Sequence, residues 1–310
     1  MRQIAQISDI HFGADDPAAV KALREDLLAE PYDLLVVSGD FTQRARPSQY
    51  REAMAFVKGL PGPHLYVPGN HDIPLYDVFR RFFAPTSRYR TFVTKDLLPV
   101  FADDEILVIG VNTARPFSWT WRGFWKDGRI SADQLLDVHL ACAEAEDGLF
   151  KVVVTHHPFL PPPDARGHGA VELEGAEEDS HVPDREHSRD REGKFRISSQ
   201  VIRGSARSLR SMEALGVELL LAGHLHMNYV GDVRSHHERV RRSILSVQAG
   251  TACSHRRRGE PNAYNRIRVE SKKHDGLERD RVTIRVRTLE GPSFGDGSVT
   301  TFEKHENGWG

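Results

Sequence analysis

Ile4-Ala5-Gln6-Ile7-Ser8-Asp9-Ile10-His11 opens the chain with an apolar run that ends in side chains able to ligate a cation. Residues 4–10 read as a short strand. Asp9-x-His11 then sets both side chains on one side of an extended backbone, because strand side chains alternate with period two. The same order of apolar run and polar tip returns further along. Tyr32-Asp33-Leu34-Leu35-Val36-Val37 leads into Ser38-Gly39-Asp40, and His64-Leu65-Tyr66-Val67 into Pro68-Gly69-Asn70-His71-Asp72. Residues 150–155 deliver His156-His157-Pro158, and residues 217–222 deliver Gly223-His224-Leu225-His226.

Helical patterns separate these strands. Residues 18–30 read as a helix stopped by Pro31, and residues 47–58 as another with Ser48 at its N-cap. Residues 131–145 and 209–215 follow the same pattern, while the strand at 105–111 ends at Asn112-Thr113. Strand, tip and helix in that order predict α/β units with a functional face at the strand ends. Residues 243–250, 263–270 and 281–288 read as strands with no helix between them, so the part from 243 to 303 should be β-rich. That favours a two-sheet α/β sandwich over a TIM barrel, whose alternation would continue to the end. One domain over 1–310 is expected. Residues 161–194 depart from the pattern: three prolines, Gly167-His168-Gly169 and mixed charges carry too little apolar periodicity for a core element. They read as a flexible insertion, with a lid or an oligomer contact as alternatives.

The 310 residues carry 39% hydrophobic and 28% charged side chains and a formal net charge of -2, which excludes a broad basic field for gripping extended nucleic acid. A small anionic substrate stays compatible, since bound cations add local positive charge. Cys142 and Cys253 are too few for a disulfide framework, and no apolar run is long enough to cross a bilayer. With no apolar signal segment ahead of the first strand, a reducing cytoplasm is the expected setting. Phe117, Trp119, Trp121, Phe124 and Trp125 read mainly as packing against a sheet, with base stacking by one or two as the alternative. Arg115, Arg122 and the run Arg256-Arg257-Arg258 read as solvated, with anion attraction as the alternative.

Asp, Asn and His supply oxygen and nitrogen ligands with no thiolate among them. That mixture suits two divalent cations working on a phosphate ester better than a closed structural zinc site. Taken singly, Asp40 could be a turn carboxylate and His224-x-His226 a pair of polar contacts. One explanation covers every strand tip, and it is a metallohydrolase.

The ordered set Asp9-Ile10-His11, Gly39-Asp40, Gly69-Asn70-His71-Asp72, Thr155-His156-His157 and Gly223-His224-Leu225-His226 resembles the calcineurin-like metallophosphoesterase superfamily and spans most of the chain. The resemblance implies an α/β fold, an αββα sandwich of two mixed β-sheets flanked by helices, with a dinuclear metal site at strand ends. It implies that Asp9, His11 and His226 bind one cation, that Asn70, His156 and His224 bind the other, and that Asp40 bridges them. It also chooses His156 over His157 as the ligand. A bridging carboxylate offsets repulsion between two cations, and Asn70 adds a neutral carbonyl oxygen. The implied reaction is in-line attack of metal-activated hydroxide on phosphorus. His71 would contact the substrate and stabilise charge or protonate the departing oxygen, and Asp72 would orient His71 or serve only as a turn acceptor.

Within the superfamily, His156-His157-Pro158-Phe159 and Pro261-Asn262-Ala263-Tyr264-Asn265 look like the class III cyclic-nucleotide phosphodiesterase group. That smaller resemblance implies a 3',5'-cyclic nucleotide such as cyclic AMP as substrate, with Asn112 beside it. The alternatives are a broad-specificity phosphodiesterase or phosphomonoesterase on nucleotides or phospholipid-like substrates, a phosphoprotein phosphatase, and a non-catalytic protein-binding scaffold. The ligands leave Mn, Fe, Mg and Zn open as the two divalent metal ions. An oligomer is left open too.

Overall fold

Leu34-Leu35-Val36-Val37 is buried at every position, the mark of a strand covered on both faces. In this computed structural model, which describes residues 1–116, 128–160, 201–235 and 240–310, helices cover one face and a second sheet covers the other. The expected insertion at 161–194, the aromatic run 117–125 and Arg122 lie outside the described residues.

The chain runs through β1 (Arg2–Ile7), α1 (Pro17–Ala29), β2 (Leu34–Val37), α2 (Pro47–Lys58), β3 (His64–Tyr66), α3 (Val78–Phe83), α4 (Ser87–Phe92), β4 (Val100–Ala102) and β5 (Ile106–Gly110). It continues with α5 (Ala132–Glu144), β6 (Phe150–Val154), α6 (Ser205–Ala214), β7 (Val217–Ala222), β8 (Tyr229–Asp232) and β9 (Leu245–Gln248). β10 (Ala263–Glu270), α7 (Lys272–Asp275), β11 (Arg281–Glu290), β12 (Ser293–His305) and β13 (Gly308–Trp309) complete it. One sheet is ordered β13-β12-β11-β10-β1-β2-β3 and the other β4-β5-β6-β7-β9-β8. β1, β2 and β3 are parallel, as are β5, β6, β7 and β9. Their carboxyl ends therefore gather at one edge of each sheet. Antiparallel strands widen both sheets, which makes them mixed.

Side-chain alternation decides the layers. Ile4, Leu34 and Val36 face inward and join Val108, Val152, Leu219 and Val247 of the second sheet. Ala5, Ile7, Leu35 and Val37 face outward and join Leu23, Leu27, Ala53 and Val57 of α1 and α2. On the far side Leu107, Ile109, Val153 and Leu220 meet Leu135 and Val138 of α5 and Leu209 and Met212 of α6. The result is the αββα sandwich.

Local chemistry sets the helix starts. Asp16 caps α1 by accepting from Ala18 N–H at 2.9 Å. Ser131 and Gln134 cap α5 reciprocally, Ser131 Oγ accepting from Gln134 N–H at 3.2 Å and Gln134 Oε1 from Ser131 N–H at 3.1 Å. Ser48 does not cap α2. Pro47 takes the first helical position, and Gln49 Oε1 accepts from the N–H groups of Arg44 and Arg46 at 2.9 and 3.3 Å. Cys142 and Cys253 are both free thiols. Among the described residues no helix is long and apolar enough to cross a membrane.

Candidate metal centre

The parallel strands end in tight turns. Asp9 and His11 after β1 have φ of 53° and 43°, Asp40 after β2 has 54°, and His224 and His226 after β7 have 72° and 55°. These are left-handed conformations, so Asp9-x-His11 does not lie on the extended backbone expected from the sequence, and β1 stops at Ile7. Asp and His tolerate this region better than bulky or β-branched residues do. Hydrogen bonds hold them there. Asp9 N–H donates to Gly39 O at 3.1 Å, His11 N–H to Asp40 O at 3.0 Å, and Gly223 N–H to His156 O at 3.0 Å. His224 N–H and Ser8 Oγ–H both donate to Asp9 Oδ2, at 2.9 and 2.6 Å. Backbone strain fixed this firmly by its surroundings gathers at functional sites.

Ring orientation follows from the same contacts. His156 Nδ1–H donates to Ser38 O at 2.9 Å, and His226 Nδ1–H donates to the Arg256 carbonyl. Each ring is left with a bare Nε2 aimed inward. His226 Nε2 lies 3.2 Å from His11 Nε2 and 3.2 Å from Asp9 Oδ1. His156 Nε2 lies 3.1 Å from Asn70 Oδ1 and 3.2 Å from His224 Nδ1. Asp40 Oδ2 stands 3.5 Å from His11 Nε2 and 3.5 Å from His156 Nε2, between the two groups.

Lone pairs packed this closely repel one another unless a positive charge sits among them. Atoms bonded to one cation at about 2.0–2.2 Å in tetrahedral or octahedral geometry are roughly 2.8–3.6 Å apart. The observed spacings fall in that window. Asp9 Oδ1 is buried with no hydrogen-bond donor among the described residues, as befits an oxygen kept for a cation. The two clustered groups of His and Asp therefore fit a pair of divalent cations. His157 also lies near His156 and His224, but its Nδ1 pairs with Thr113 Oγ1 at 2.8 Å.

Burial sets the charge states. It pushes His11 down to about 3 despite Asp9 beside it. Burial also lowers His156, and it takes His224 and His71 well below the usual imidazole range, assisted by His157 at the former and by His11 and Arg256 at the latter. Neutral rings are the ligating form. Burial, Asp9 and Asp72 together hold the Asp40 carboxyl well above its ordinary range. At Asp9 burial pushes the same way, but His226 and His11 bring its carboxyl well below that range.

His71 packs edge-on to His11, ring centroids 4.8 Å apart. Its backbone N–H donates to Asp40 Oδ1 at 2.8 Å and its Nδ1–H to Gln43 O at 2.9 Å. Asp72 does not meet that ring. Its carboxylate accepts from Gly69 N–H at 2.9 Å, Phe41 N–H at 3.2 Å, Thr42 N–H at 3.0 Å and Thr42 Oγ1–H at 3.1 Å. Four donors saturate it, so it is the turn acceptor. Asn112 Oδ1 accepts from Ala114 N–H at 2.9 Å. Asn262 donates to the carbonyls of Thr251 and Ser254 at 3.2 and 2.9 Å, and Asn265 to Gln6 Oε1 at 3.0 Å, so both brace the fold. Sequence reasoning passed over two neighbours of His71. Gln43 has no distinguishing signal, and Arg256 carried one only as the head of a basic run.

A family model described as calcineurin-like phosphoesterase matches residues 2–228. A probable cyclic nucleotide phosphodiesterase of Synechococcus sp. is 29% identical over 168 residues, which cover 50% of this chain and 57% of that protein. Among solved structures, a purple acid phosphatase from yellow lupin (Lupinus luteus) seeds superposes with a TM-score of 0.61 at 11% identity, covering 97% of this chain and 53% of that one. The chain thus spans little more than half the length of either protein, and the lupin structure supports the fold alone. The family match, in contrast, runs past His226 and takes in every strand tip of the two clustered groups, so the chain belongs to the calcineurin-like phosphoesterase family.

Proposed function

We propose that the protein is a metal-dependent phosphoric ester hydrolase of broad specificity, acting on small phosphodiesters and phosphomonoesters. The observation that carries this reading is Asp40 Oδ2 standing 3.5 Å from a ring nitrogen of each ligand group. Asp9, His11 and His226 would hold one divalent cation, Asn70, His156 and His224 the other, and Asp40 both. Mn, Fe, Mg and Zn all suit such a donor set. When bound, two divalent cations supply Lewis acidity toward phosphoryl oxygens and lower the pKa of water. The chain's own part is orientation. Ser38 and Arg256 carbonyls fix the His156 and His226 rings, Asp72 fixes the turn that carries Asn70 and His71, and His71, packed edge-on to His11, would stand beside the pair.

Breadth is supported by what the nucleotide-like features do. Asn112, Asn262 and Asn265 all spend side-chain groups on protein contacts. A cyclic-nucleotide phosphodiesterase is the second reading, favoured by the 29% identity to the Synechococcus protein and by the segments at 156–159 and 261–265. A reducing cytoplasm suits the two free thiols. The test is turnover of cyclic AMP, cyclic GMP, an activated phosphodiester and an activated phosphomonoester by protein loaded with Mn, Fe, Mg or Zn. Turnover of both activated esters is expected. Asp40→Ala should reduce it beyond the about 10- to 100-fold cost of losing an outer-shell partner, together with bound metal. Turnover confined to the cyclic nucleotides would select the second reading, and metal-replete protein inert on the whole panel would refute both.

A further inference from the structure

We propose that Arg256 is the residue that meets the substrate's phosphoryl oxygens, and that it favours doubly charged phosphomonoesters over singly charged diesters. This rests on the hydrolase reading above. His71 gives its Nδ1–H to Gln43 O at 2.9 Å. A neutral imidazole has one N–H, so its Nε2 is an acceptor. Arg256 NH1 donates to that nitrogen at 3.2 Å and to Gln43 Oε1 at 3.3 Å. The hydrogen-bond donor at the tip of His71 is therefore a guanidinium. Both bonds leave from NH1, and a guanidinium has five N–H donors, so Nε and NH2 keep donors to offer an anion.

The backbone of the same residue builds its place. Arg256 O accepts from His226 Nδ1–H, and Arg256 N–H donates to Ser254 Oγ at 3.2 Å. Thr251 Oγ1–H donates to Asp9 O at 2.7 Å, so Ser254 Oγ–H is the donor in the 2.7 Å bond between the two hydroxyls. A continuous run of bonds thus ties Arg256 to Asp9 and His226, the residues assigned to one cation. The carbonyl orients His226, and the side chain of the same residue bonds His71. A fixed cation attracts a dianion about twice as strongly as a monoanion at equal distance, hence the preference for monoesters.

The test uses full-length protein loaded with Mn, as wild type, Arg256→Ala and Arg256→Lys. Inorganic phosphate binding is measured by calorimetry, metal content by elemental analysis, and kcat and KM on an activated monoester and an activated diester. Arg256→Ala should keep wild-type metal content, because the carbonyl on His226 remains. Phosphate affinity should fall about 10- to 100-fold, as for the loss of a charged hydrogen bond, and monoester kcat/KM more than diester kcat/KM. Arg256→Lys should recover part of the phosphate affinity. Equal phosphate affinity in wild type and Arg256→Ala overturns the proposal, as does a wild type that binds no phosphate or a variant that loses its metal. If wild type hydrolyses no ester yet phosphate affinity still falls in Arg256→Ala, the hydrolase reading fails while Arg256 stands as the anion contact.

Discussion

The two oxygens of Asp72 accept from four donors in a fully buried position, and burial pushes that carboxyl up to about 6 against the pull of the Gly69, Phe41 and Thr42 donors. Asp72→Asn would turn an NH2 group toward backbone N–H groups that need an acceptor. It should lose about 1–3 kcal/mol of stability in urea denaturation, with metal content unchanged. A variant of wild-type stability and collapsed turnover would instead mean that Asp72 works through His71. The string Asn70-His71-Asp72 reads equally well either way, because adjacency in sequence does not say whether a carboxylate faces an imidazole or an amide. The place of Arg256 beside His71 was illegible for a related reason. Arg256 lies 185 residues from His71 along the chain, and only the convergence of two sheets brings them together. The strand-tip residues were legible as a set because each follows an apolar run, and that pattern survives in one dimension.

At the scale of elements, the turns after β1, β2, β3 and β7 pack so closely that one added methyl group should disturb them. Gly69 has an ordinary φ of -99°, yet a Cβ there would fall 2.0 Å from Asp40 Oδ1 and 2.4 Å from Asp40 N. The backbone atom cannot swing aside. Gly204 makes the useful contrast, with φ of 70° and, among the described residues, nothing within 4 Å of a Cβ. Gly69→Ala should lose bound metal and lower the thermal midpoint, whereas Gly204→Ala should keep its metal and cost only the about 1–2 kcal/mol of left-handed strain. Elemental analysis beside a melting curve checks both, and metal retained in Gly69→Ala would show that Asp40 has room to move. Strands β2 and β7 were readable because both faces are buried and the runs are apolar, broken in β7 only by Glu218. Reading β1 out to Ile10 failed because period-two alternation does not register a left-handed φ. β12 was missed because its residues are largely exposed and polar and it contains Gly295 and Gly297.

Across the whole molecule, a two-sheet α/β sandwich was legible from helices alternating with apolar strands followed by strands alone, and the αββα order followed from the family resemblance. The cost of assembling the centre was not legible. Folding forces His11, His71, His156 and His224 to stay neutral by burying them, while the unfolded chain is free to protonate them near about 6.5. In that range the unfolded state binds more protons, so the stability of metal-free protein should rise with pH and fall as acid is added. The loss begins near the unfolded value and, for His11, continues toward about 3. Asp40 and Asp72 act in the opposite sense, because carboxyls raised by the fold take up protons there first. For Asp72 that compensation begins near pH 6. Melting curves of chelator-stripped protein should therefore show the midpoint dropping from pH 7.5 to 6.5 and the slope easing below pH 6. A divalent cation at 100 times its dissociation constant should add about 2.7 kcal/mol at pH 7.5. A midpoint that stays level or climbs on acidification from pH 7.5 to 6.5 would mean that proton uptake at the raised Asp40 carboxyl matches or outweighs the cost of keeping the rings neutral.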